Sequence, residues 1–62
     1  MRPYDLTGNI IAYESGELDE EETLTLFQVL VNNGMAWSLQ GHYGRTAKAL
    51  LDAGYITPRP AT

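Results

Sequence analysis

Gly16, Gly34 and Gly54 divide the chain into three stretches, each long enough for one helix. Each glycine follows a run of apolar residues at helical spacing, the place where a left-handed residue ends a helix and proline or asparagine neighbours reinforce the stop. A strand through Asn9-Ile10-Ile11-Ala12-Tyr13 is the rival reading of the first stretch. It fails because no second strand exists to pair with it, and a lone strand has no stability in water. The glycine punctuation therefore predicts an all-α fold. It is a small three-helix bundle with an additional short helix at about 35–40. The helical domain spans 5–56, and 1–4 and 57–62 are flexible termini.

The first helix is expected from about Thr7 to Ser15, capped by Asp5 or Thr7, with Leu6, Ile10, Tyr13 and Ile11 on its apolar side. The second shows the strongest local signal. Asp19-Glu20-Glu21-Glu22 reads as an N-cap followed by an acidic first turn, with Asp19 and Glu22 as the two halves of a capping box. Three negative charges there also complement the helix dipole. This run reads first as a solvated, well-capped helix start, with a negative patch for a basic partner as the alternative. The helix continues to Asn33, with Leu24, Phe27, Leu30 and Val31 as its main stripe, Leu26 on the flank and Val29 on the other side. That apolar arc is wider than the ~100° stripe of an ordinary surface helix. Either two neighbouring elements cover it or part of it meets a partner. A short helix over Met35 to Gln40 packs Met35, Trp37 or Leu39 inward, and Gly41-His42 breaks it. The third helix runs from about Tyr43 to Ala53, and Tyr55 and Ile56 fold back on its end. The predicted core is Leu6, Ile10, Tyr13, Leu24, Phe27, Leu30, Val31, Trp37, Leu39, Tyr43, Ala47, Leu50 and Ile56.

A chain of sixty-two residues buries a thin core, about 60% of its unfolded surface. It has no cysteine and one histidine, so disulfides, thiolate metal sites and zinc-type ligand clusters within one chain are excluded. No cofactor is implied. Self-association is the staple that remains, and a homodimer through Leu26 and Val29 is the expected form. Residues 1–34 carry seven acids and one arginine, whereas 35–62 carry three basic residues and one acid. A net charge of −4 argues against a free-standing nucleic-acid binder, because phosphate neutralisation supplies most of that affinity. No apolar run approaches the ~20 residues of a membrane span, and no signal-peptide core is present. The expectation is a soluble, cytoplasmic protein with no membrane partner.

Chemistry has one place to hide, the stretch Gly34 to Ala47, which holds the single tryptophan and the single histidine. Ser38 and His42 are four apart, but Gly41 interrupts the helix between them and no third residue orients the imidazole. Gly41-His42-Tyr43-Gly44-Arg45-Thr46 lacks the Gly-Lys-Ser/Thr ending of a phosphate loop and follows no strand. The residues from Gly44 onward look like the opening of a helix-turn-helix, yet Pro58 and Pro60 forbid the recognition helix. No catalytic residues are assigned, and the chain reads as a non-enzymatic interaction protein, with Leu26 and Val29 as partner-binding residues. The alternative is a single-stranded nucleic-acid binder that stacks bases on Trp37, His42 and Tyr43 and holds phosphates with Arg45 and Lys48.

Tyr13-Glu14-Ser15-Gly16-Glu17-Leu18-Asp19-Glu20-Glu21-Glu22, Leu26-Phe27-Gln28 and Ala36-Trp37-Ser38-Leu39-Gln40-Gly41-His42-Tyr43-Gly44-Arg45-Thr46-Ala47 together resemble a family of very short proteins encoded by tailed bacteriophages. The resemblance covers roughly residues 9–56, and the string from Trp37 to Ala47 is its most specific part. It implies a phage origin and the host-cell cytoplasm, and on that footing the interaction protein is expected to be a phage accessory protein that binds a host or phage protein. The resemblance implies no activity and assigns no functional residues.

Overall fold

The computed structural model describes residues 4–58. Within them lie three α-helices, α1 (Leu6–Glu14), α2 (Glu20–Asn32) and α3 (Gly41–Asp52), with a 3₁₀ turn at Met35–Trp37 between the last two. The described residues contain no strand. The architecture is the small all-α bundle expected from the glycine spacing. Arg2, Pro60 and the outer parts of both termini lie outside the described residues.

Side chains close to each helix start set its boundary. Asp5 caps α1, its Oδ1 accepting the Gly8 N–H at 3.0 Å. A Cβ at Gly8 would fall on the Asp5 carboxylate, so a side chain there would make the cap shift. At α2 both halves of the capping box form: Asp19 Oδ1 accepts from the Glu22 N–H at 2.7 Å, and Glu22 Oε1 accepts from the Asp19 N–H at 3.1 Å. Such a cap contributes about 1 kcal/mol. Gly16, Gly34 and Gly54 all adopt positive φ, between 74° and 81°. After α1 and α3 the two following N–H groups reach back to the last-turn carbonyls, as in a Schellman cap. After α2 the second of those bonds is replaced, because Asn33 Oδ1 takes the Met35 N–H at 2.9 Å.

The segment after Gly34 differs from expectation. A helix over 35–40 is reduced to the 3₁₀ turn, and α3 begins at Gly41 instead of Tyr43. The break falls at Gln40, whose extended backbone (ψ 152°) makes it the N-cap residue of α3. A glycine in the first helical turn is cheap compared with one in a helix interior, so Gly41-His42 starts a helix where it was expected to stop one.

α2 is the central element. α1, the 3₁₀ turn and α3 all pack on it, and the turn also packs on α3. α1 makes no comparable backbone approach to α3. The fully buried residues are Leu26, Phe27, Leu30, Val31, Ala36, Tyr43, Ala47 and Ile56. Two placements correct the sequence reading. Leu26 is at the centre of the core with no exposed surface, and Leu24 lies at the rim. The stripe is centred on Leu26, Phe27, Leu30 and Val31, the buried residues of α2, and Leu24 and Val29 lie at its partly exposed edges. Trp37 is 55% exposed, and Ala36 takes the inward position. A 3₁₀ turn rotates successive residues by about 120°, so only one of Met35, Ala36 and Trp37 can face the core squarely.

Three rings fill the space between α1, α2 and α3. Tyr13 meets Phe27 edge-on at 5.3 Å between centroids, and Tyr43 lies 5.6 Å from Tyr13 and 5.9 Å from Phe27. The Tyr43 hydroxyl donates to Glu14 Oε2 at 2.7 Å, which ties α3 to the end of α1. The chain end is tied as well. Thr57 donates its N–H to Gln28 Oε1 at 2.8 Å and accepts from Gln28 Nε2 at 2.9 Å. The amide of one side chain thus pairs with a backbone peptide as a neighbouring strand would.

Candidate functional site

The aromatic and basic residues between 37 and 48 separate into different environments. Trp37 lies outside, its indole resting on Gly44: a Cβ built there would be 3.6 Å from the ring. Tyr43 is buried, 2% exposed, and its hydroxyl is committed to Glu14. Burial first, then the hydrogen bond to Glu14 and the negative charge of that residue, then Tyr13, push its pKa up to about 12. His42 is half-buried, with its ring 4.3 Å from that of Tyr43. Two residues on a helix are separated by about 200°, which sets His42 on the side of α3 away from Gly44 and the indole above it. Arg45 is exposed and arches back over Gly41. Lys48 pairs with Asp52 at 3.1 Å, and both side chains are mostly exposed. Such a pair contributes roughly 0–1 kcal/mol. Of the five residues, Trp37, Arg45 and Lys48 remain available on the surface, and Tyr43 does not.

A second surface is built around α2 and the end of α3. Leu26, expected there, is in the core. Val29 does reach it. One hollow of about 290 Å³ is lined by Glu20, Thr23, Leu24, Leu50 and Tyr55. A second, also about 290 Å³, is lined by Leu24, Thr25, Gln28, Val29, Tyr55 and Ile56. Leu24 and Tyr55 belong to both. Tyr55 is 67% exposed, the most open of the large hydrophobic side chains described. The fold explains its position. Ile56 turns into the core at 5% exposure and Thr57 is held on Gln28. Tyr55, whose N–H closes the α3 cap on the Leu50 carbonyl, is left facing out.

Sequence reasoning paired Tyr55 with Ile56 as inward residues and so missed it.

A family model described as a domain of unknown function, DUF7417, matches residues 1–61. The chain belongs to that family. The match takes in the leader and the proline-containing tail beside the helical domain. Neither the curated proteins nor the solved structures contain a match to the chain. Among the described residues no helix is long and apolar enough to cross a membrane.

Proposed function

We propose that this DUF7417 protein is a non-enzymatic interaction module, a phage accessory protein that acts in the host cytoplasm by binding a host or phage protein. The observation that carries the reading is the pair of adjoining apolar hollows that meet at Leu24 and the exposed Tyr55. Two adjoining apolar hollows that share one exposed ring form a contiguous patch, the kind of surface that marks an interaction site. Tyrosine is also among the residues that dominate interface energetics. A second copy of the chain is one partner this face would accept, with Val29 at its edge. The phage assignment rests on the similarity of the string from Trp37 to Ala47.

Capture of partners from host lysate, with and without nuclease, tests the reading. One stoichiometric protein that survives nuclease and is lost with Tyr55→Glu is the expected result. Retention of the same partner by Tyr55→Glu would remove this face from consideration.

The exposure of Trp37, Arg45 and Lys48 favours a second reading, single-stranded nucleic-acid binding with one stacking ring instead of three. That complex would weaken steeply with salt, and Arg45→Ala and Lys48→Ala would each flatten the salt dependence. A protein complex on the Tyr55 face would respond weakly to salt.

A further inference from the structure

Of the two hollows at Tyr55, the one at the start of α2 combines an apolar floor with negative charge. Leu24 and Leu50 supply the floor, Tyr55 a ring face, and Glu20 a carboxylate. The neighbouring acids Asp19 and Glu22 are consumed by the capping box, whereas Glu20 accepts no hydrogen bond from any described residue. The partial positive charge of the α2 N-terminus is shared among Glu20, Glu21 and Glu22, so the rim stays negative. A carboxylate at the rim of an apolar floor suits a long aliphatic stem with a cationic head.

We propose that this hollow docks an arginine side chain of the partner protein. The proposal rests on the interaction-module reading and adds the chemistry of the partner. Arginine fits better than lysine for two reasons. Its planar guanidinium stacks on a tyrosine face, and its fork of donors matches a carboxylate. The volume of about 290 Å³ suits one side chain rather than a cofactor. The methylenes would lie on Leu24 and Leu50, the guanidinium against Tyr55 and Glu20.

The test is a titration of the full-length ¹⁵N-labelled protein with N-acetyl-arginine amide, with the citrulline and lysine analogues as controls. The expected result is a set of amide shifts confined to Glu20, Thr23, Leu24, Leu50 and Tyr55. The isosteric but uncharged citrulline probe should leave them unmoved, and the lysine probe should move them much less. Glu20→Gln and Tyr55→Ala should each weaken the arginine probe about fivefold. Circular dichroism should show both variants folded, since both side chains are exposed. Equal shifts from citrulline or lysine would overturn the arginine assignment, as would shifts spread evenly over Asp5, Glu14 and Glu17. The two readings separate in the lysate experiment. A partner lost with Tyr55→Glu but held normally by Glu20→Gln would overturn the arginine proposal and leave the interaction module standing. A partner indifferent to both variants would overturn both.

Discussion

Tyr43 and Trp37 stand six positions apart in one glycine-rich string and finish in opposite surroundings. Tyr43 joins Tyr13 and Phe27 in a closed aromatic cluster, with its hydroxyl bonded to Glu14. Trp37 lies on the outside of α3 over Gly44, and Tyr55 stands further out still. Size does not decide which ring is buried, since the largest side chain in the protein is one of those left outside. Backbone phase decides it. Tyr43 and Ala47 follow the 3.6-residue repeat of α3 toward α2, whereas Trp37 belongs to a 3₁₀ turn whose inward position goes to Ala36.

The contrast can be broken most easily at its centre. Phe27→Ala should cost about 3–5 kcal/mol, which for a domain this small approaches its whole stability. Thermal unfolding by circular dichroism should show the transition lost or moved far down. Trp37→Ala should cost much less, about 1–1.5 kcal/mol, because half of the indole is already in water. A loss as large as that of Phe27→Ala would mean that the two environments are not energetically distinct.

Tyr43→Phe keeps the ring and removes the bond to Glu14, at a cost of about 0.5–1.5 kcal/mol. It also removes an alkaline transition. Tyr43 holds its proton more tightly in the folded state (pKa about 12) than in the unfolded chain (about 10). Its contribution is therefore complete below pH 10, and stability falls as the pH rises from about 10 toward 12. Denaturant midpoints measured across that window should decline in the parent and decline less in Tyr43→Phe. Parallel declines would show that another group carries the effect. The smallest change expected is that of Tyr55→Ala, within about 0.5 kcal/mol of the parent. A cost well above that would make Tyr55 part of the scaffold and weaken the case for its face as a binding surface.

What was legible in the sequence was chemistry acting over a few residues. The Asp19/Glu22 box, the Asp5 cap and the left-handed glycines at 16, 34 and 54 depend on neighbours within about six positions, and each was readable. The rotation of α2 about its axis was not. Its apolar arc is wide enough to be centred on Leu24 or on Leu26, and only the placement of α1 and α3 selects Leu26. The turn at Met35–Trp37 was misread for a related reason. Six residues of good helical composition were counted, but Gln40 is taken by the N-cap of α3, and what is left closes only one tight turn. Of the candidate surface residues, Val29, Arg45 and Lys48 were named from the residue pattern, whereas Trp37 was expected in the core and lies outside it. Tyr55 was hidden because its direction depends on the Gln28–Thr57 pairing, which spans 29 positions in the chain.

The way α1 is attached has a consequence in time rather than in energy at rest. None of its residues is fully buried, and α2 is the one helix on which its backbone rests. Its links to α3 are the Tyr13–Tyr43 ring contact and the Glu14–Tyr43 bond. Such an element can detach while α2, the 3₁₀ turn and α3 stay together, as a separate cooperative unit. Amide protons at Ile10 to Tyr13 should then exchange with deuterium well before those at Phe27 to Val31, and Tyr43→Phe should hasten the first group selectively.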